Sequence, residues 1–170
     1  MSIKLGLAAK ELGVTPSVLH NVLLKRSVDL GVKIMSPNSI IENVEISDKA
    51  YSLIIYEINL IQSQINDLEY LRELRVTEVP DISKPVVYFL FQDDYILYIG
   101  MTNDLKRRIS THKKDKEFNY ISIQVCNKYD VMLLEALYIN KYCTGLNKNV
   151  YPMSVIVKMI IERIDIFDLV

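Results

Sequence analysis

The spacing of apolar and polar positions divides the chain into three stretches. In residues 1–35, "LAAKELGVTPSVLHNVLLK" has helical spacing interrupted once. Gly13 stops a first helix, Thr15 is placed as an N-cap, and Pro16 opens a second helix at the position where a missing N–H costs nothing. Two short helices around a tight turn are predicted. Residues 39–75 also read as helical. Ser39 and Glu42 have capping-box spacing. Tyr51, Ile54, Ile58, Ile61, Ile65 and Leu68 then recur at 3-4-3-4-3 intervals, the seam of a coiled coil. That seam serves either a homodimer through residues 51–68 or packing against the first two helices. "VTEVPDISKP" (76–85) has two prolines and no helical pattern, and is taken as a linker.

Beyond the linker the period changes. "VVYFLF" (86–91) and "YILYIG" (95–100) are β-rich runs around Gln92-Asp93-Asp94, a hairpin signal. Gly100 marks the turn that follows. Thr102 or Asn103 can cap a helix from about 104 to 114. "YISIQVC" (120–126) alternates, with Ile121, Ile123 and Val125 on one face, and predicts a half-buried strand. Asp130 can cap a helix to Tyr142, ended near Gly145. A last amphipathic helix follows Pro152, over about 153–165. The order from residue 86 is β-β-α-β-α-α, so the fold class is α+β. The expected domains are a helical targeting or dimerisation region at 1–75, the linker at 76–85, and a mixed domain at 86–170 that includes the last helix.

Composition narrows the picture. Half of the 170 residues are apolar, enough for a core, and the net charge is −1. The charge is unevenly spread. Residues 1–80 carry 8 Lys/Arg against 10 Asp/Glu, whereas residues 84–151 carry 10 against 7. The basic peak at 105–116 holds Lys106, Arg107, Arg108, Lys113, Lys114 and Lys116 against Asp115 alone. This suits either a solvated helix face or a focused anionic partner. Cys126, Cys143, His20 and His112 do not have zinc-ligand spacing. No run of 18 apolar residues is present, and the first residues lack a signal-peptide core, so no membrane span is predicted and the cytoplasm is the expected location.

Three features carry chemistry. On a helical wheel Leu105 and Ile109 define the inner face of the basic helix. Arg107 points away, and Arg108 and His112 share a flank turned toward the sheet. In "DVMLLEALYINKY", Glu135 is the one charge between Val131 and Ile139 and stands among apolar neighbours. A carboxylate there must be paired, protonated or metal-bound, because an isolated buried charge is too costly. Arg108 is a candidate ion-pair partner, and a lone carboxylate among waters and substrate oxygens also suits Mg²⁺. Tyr88 and Tyr98 stand on the two strands of the predicted hairpin, and either could be aromatic core.

Together these residues resemble a GIY-YIG nuclease domain over residues 86–148. The second strand motif stands here as "YIG" (98–100). The first is "VVY" (86–88), without its leading glycine. Arg108 follows Tyr98 by ten residues and His112 by fourteen, Glu135 lies on a later helix, and Asn147 stands in "GLNKN". The resemblance implies a three-stranded antiparallel sheet flanked by helices. It implies a divalent-metal-dependent DNA endonuclease, of restriction or phage/mobile-element type, that hydrolyses phosphodiester bonds. Glu135 would hold Mg²⁺, with Mn²⁺ as a substitute, and Arg108 would grip phosphate oxygens. Tyr88 or Tyr98 would act as general base, with Tyr88 favoured and Tyr98 orienting water or phosphate. His112 would support the tyrosine, Asn147 would brace the site or bind phosphate, and Lys106, Arg107, Lys113 and Lys114 would contact the DNA backbone. The competing reading is a catalytically inactive DNA-binding or protein-interaction module on the same fold. The first two helices resemble, more loosely, the helix-turn-helix of DNA-binding regulators and small helical modules of translation factors.

Overall fold

The computed structural model describes residues 2–24, 44–148 and 150–167. The Ser39–Glu42 capping pair lies outside them. The chain forms two compact units, Met1–Gln62 with Pro152–Val170, and Ser63–Tyr151. No helix among the described residues is long and apolar enough to cross a membrane.

In the first unit, β1 (Ser2–Lys4) leads into α1 (Leu5–Glu11) and α2 (Pro16–Leu24). Gly13 adopts φ +68°, the left-handed conformation that closes a helix, and Val14 N–H donates to the Ala9 carbonyl at 3.0 Å. Thr15 Oγ1 accepts weakly from Val18 N–H at 3.4 Å, so the predicted cap is where the sequence put it. The region is not wholly helical, however. β2 (Glu45–Ser47) pairs antiparallel with β1, Ile46 opposite Ile3. The helix carrying the heptad seam, α3 (Asp48–Gln62), is also shorter than the pattern suggested. Ile54 and Ile61 are fully buried, and Tyr51, Ile54 and Ile58 pack with Leu5, Ala8, Leu19 and Leu23 of the same unit. The seam is therefore spent within the chain, and its last two members, Ile65 and Leu68, lie beyond the helix. The expectation of a homodimer through 51–68 loses its basis.

The last helix, α7 (Met153–Phe167), belongs to this unit rather than to the mixed domain, since Val157 and Ile161 complete its core. Arg163 on α7 faces Glu57 on α3 with Nε 3.4 Å from Oε2, and the two side chains are only 6% and 9% exposed.

The second unit starts earlier than the proline-rich stretch. α4 (Leu68–Glu73) is capped by Asp67, whose side chain accepts from Tyr70 N–H at 2.8 Å. Residues 76–85 do not form a free linker. Val76 exchanges both backbone hydrogen bonds with Ile121 at 2.9 Å, and Val79 and Ile82 pack onto the sheet core. The sheet contains β3 (Val86–Gln92), β4 (Tyr95–Thr102) and β5 (Tyr120–Val125) in the order β4-β3-β5, all antiparallel. An unbroken apolar run can occupy the centre of a sheet covered on both faces, and Val86 to Phe91 are all fully buried. Val86, Tyr88 and Leu90 meet Leu105 and Ile109 of α5 (Leu105–His112). Phe89 meets Tyr138 of α6 (Val131–Tyr142) edge-on, with centroids 4.8 Å apart. Double coverage also corrects the half-buried reading of β5: Ser122, on the face opposite Ile121, is fully buried and donates to the Leu71 carbonyl.

The turn residues differ in detail from the predictions. Asp93, at φ +52°, carries the hairpin turn, held by Arg75 Nη1 on its carbonyl at 2.6 Å. Asp104 caps α5, accepting from Arg107 N–H at 3.1 Å, where Thr102 or Asn103 was expected. Cys143, at φ +46°, ends α6 in place of Gly145.

Replacement of the Glu57–Arg163 pair tests its part in the first unit. Glu57→Ala removes the buried carboxylate that faces Arg163 and should destabilise that unit by about 3 kcal/mol. The double replacement Glu57→Leu/Arg163→Met should cost far less. Chemical denaturation of the three proteins distinguishes these outcomes.

Candidate active site

The site is built around β4, an edge strand. Its outward backbone groups occur at every second residue and would otherwise be open to another strand. Here they are taken up in turn. Leu146 N–H donates to the Leu97 carbonyl at 3.3 Å. The Asn147 amide grips Ile99 at both ends: Oδ1 accepts from Ile99 N–H at 2.9 Å and Nδ2 donates to the Ile99 carbonyl at 2.8 Å. At the third position the Met101 backbone faces the Glu135 carboxylate and lowers its pKa. Asn147 thus imitates a strand and positions the "YIG" segment. Both ends of its amide are thereby engaged, and Thr144 Oγ1 also donates to Oδ1.

Gly100 is not at a turn. It lies inside β4, in register with Tyr88 on β3. A Cβ on Gly100 would come within 2.6 Å of Tyr88 Cζ and 2.8 Å of Tyr98 Cε1. The missing side chain is what lets the Tyr88 ring lie across the neighbouring strand. The Tyr88 hydroxyl then reaches α5, where it accepts from Arg108 Nε at 3.2 Å and lies 2.8 Å from His112 Nε2. Tyr88 thus accepts from Arg108, and in the His112 tautomer that carries its proton on Nδ1 it donates to Nε2. Burial pushes the Tyr88 hydroxyl well above its ordinary pKa, an effect that Arg108 partly offsets. Burial, with the charges of Lys116 and Arg108, pushes His112 below its ordinary 6.5.

Tyr98, Arg108, His112, Glu135 and Asn147 line one pocket of about 370 Å³, together with Lys116, Ile139, Leu146, Lys148 and Tyr151. Tyr88 stands behind this wall and is fully buried. The wheel separates the basic residues as expected: Arg108 turns inward, whereas Arg107 is 73% exposed and bound to Asp104. Lys106, Lys113 and Lys114 are also exposed, with Lys106 Nζ 3.2 Å from Asp81 Oδ2. Lys116, Lys148 and Tyr151 are the polar pocket residues that the sequence did not single out as site residues. Lys116 follows His112 by four, a helical spacing that could have revealed it. Tyr151 carried no such signal.

Glu135 is the one carboxylate among these lining residues, 9% exposed. Burial raises its pKa, opposed by the Met101 backbone, the Arg108 charge and a hydrogen bond from Tyr151. No group of three or more His, Cys, Asp or Glu among the described residues is placed to hold an ion. The site therefore lacks an all-protein cage. The donor set fits a hard cation such as Mg²⁺, which binds through one carboxylate and completes its shell with waters and phosphate oxygens.

Comparison with known proteins agrees with this geometry. Residues 84–149 match the family model of the GIY-YIG catalytic domain. GIY-YIG domains are endonuclease domains. No curated protein and no solved structure matches the chain.

The packing and the buried histidine can each be probed through stability. Gly100→Ala should destabilise the second unit by roughly 1–3 kcal/mol through overpacking against Tyr88, read by thermal melting. Because native His112 binds its proton less readily than an unfolded histidine, stability should fall as pH drops below about 6.5. His112→Gln should flatten that part of the profile, measured as denaturation midpoints between pH 7.5 and 5.5.

Proposed function

We propose that the chain is a divalent-metal-dependent DNA endonuclease acting at this pocket, in the restriction or phage/mobile-element setting that the sequence suggests. The observation that carries the reading is the convergence of Tyr98, Arg108, His112, Glu135 and Asn147 on one pocket, with Tyr88 directly behind it. Three cations, Arg108, Lys116 and Lys148, face a single carboxylate there, a balance that suits a phosphodiester together with a metal ion.

Glu135 would hold Mg²⁺, or Mn²⁺ in its place. When bound, the ion supplies a Lewis acid to the scissile phosphate and to the departing oxygen. Arg108 is fixed through Nε to Tyr88, which leaves its terminal nitrogens for phosphate oxygens. Tyr98 faces the pocket beside Tyr88, with ring centroids 6.2 Å apart. In this reading the attacking water gives its proton to Tyr98, Tyr98 gives its own to Tyr88, and Tyr88 gives its own to His112 Nε2. The pair of tyrosines and the neutral histidine thus act as one general base. Tyr88 is favoured as the inner member because its hydroxyl already touches His112. Lys106, Arg107, Lys113 and Lys114, exposed outside the pocket, serve the flanking backbone, and target selection falls to the first unit.

The test is cleavage of supercoiled plasmid in Mg²⁺. Glu135→Gln should lose at least about 10³-fold in rate with DNA affinity nearly intact. Arg108→Ala should lose about 10²–10³-fold in rate. Arg107→Ala should mainly weaken binding and lower the salt dependence by about one counterion. Full cleavage by Glu135→Gln, or a larger loss from Arg107→Ala than from Arg108→Ala, refutes these assignments.

A further inference from the structure

Lys116 differs from every other lysine of the basic run. Its backbone N–H donates to the His112 carbonyl at 2.8 Å, which continues the helical path one turn past the end of α5. Its side chain is 15% exposed, against 57% for Lys106, while Lys113 and Lys114 stand in solvent. Nζ lies 5.3 Å from the centre of the Tyr98 ring and 2.7 Å from Asp115 Oδ2. Withdrawing an ammonium from water is costly unless a partner replaces the lost hydration. Asp115 replaces it only in part, since an ammonium has three N–H donors and this contact uses one. The remaining donors belong to a group that lines the pocket beside Arg108 and His112.

We propose that Lys116 is a further catalytic residue, donating from Nζ to a non-bridging oxygen of the scissile phosphate together with Arg108; this rests on the nuclease reading above. In the hydrolysis, the water oxygen forms a bond to phosphorus. One bridging P–O bond breaks, and the departing oxygen takes a proton from solvent. Lys116 keeps its proton throughout. Its task is electrostatic: the phosphodiester carries one negative charge at rest and two in the five-coordinate transition state once the attacking water has lost its proton. A second fixed cation therefore favours the transition state over the ground state. The withdrawn position distinguishes this task from that of Lys106, Lys113 and Lys114, which stand exposed and do not line the pocket.

The experiment measures cleavage by wild type, Lys116→Gln, Lys116→Met and Lys116→Arg on a duplex carrying a mapped cut, in Mg²⁺ and at saturating enzyme, each protein first shown by its melting curve to be folded. Lys116→Gln and Lys116→Met should each lower the saturating single-turnover rate by about 10²-fold. The half-saturating enzyme concentration should change less than about threefold, and Lys116→Arg should recover most of the rate. A loss confined to half-saturation, with the saturating rate unchanged, makes Lys116 a flanking contact and overturns the inference alone. Equal losses in all three variants make it a packing residue and likewise overturn the inference alone. A wild type that cuts no DNA overturns the nuclease reading, and this inference with it.

Discussion

The candidate site depends on one close approach, the Tyr88 ring lying across Gly100 of the neighbouring strand. A glycine within a strand ordinarily weakens it, because it adds backbone entropy and buries nothing. Here its missing side chain is the space in which an aromatic ring crosses the ladder. The consequence reaches α5. The Tyr88 hydroxyl becomes the shared partner of Arg108 and His112, and it sets the direction of both side chains before any substrate arrives. Pre-organisation of this kind lets a hydrogen-bond donor act on developing charge without first reorganising.

The second constraint is the open edge of β4. A strand edge that pairs with nothing invites aggregation, and one that pairs with another strand would close the site. The Asn147 side chain satisfies Ile99 at both ends, and Glu135 faces the backbone of Met101. Saturating the edge and building the pocket are thus the same act.

The two units were not equally legible in the sequence. In residues 84–149 the periods are strong and the site residues have ordered spacing, so the strands, the helices and the split between Arg107 and Arg108 could be read directly. In the first unit a heptad seam left two occupants open, a partner chain or the first two helices. The seam is real, but its residues are buried among Leu5, Leu19, Leu23 and α7. A periodic apolar stripe records that a helix face is covered and carries no record of what covers it.

Local chemistry was settled by the sequence alone: which segments from residue 86 onward become strand or helix, that Pro16 opens a helix, that Gly13 ends one, and that Arg108 and His112 share a face. Those outcomes depend on backbone sterics and spacing within a few residues. Long-range matters were left to the tertiary structure. Only there does α7 join the N-terminal core, does the proline-rich stretch pair with β5, do Lys116 and Tyr151 enter the pocket, and does Gly100 prove to be a clearance rather than a turn. Each of these follows from what lies across a strand, a helix or a gap of dozens of residues, where packing decides and local spacing has no reach.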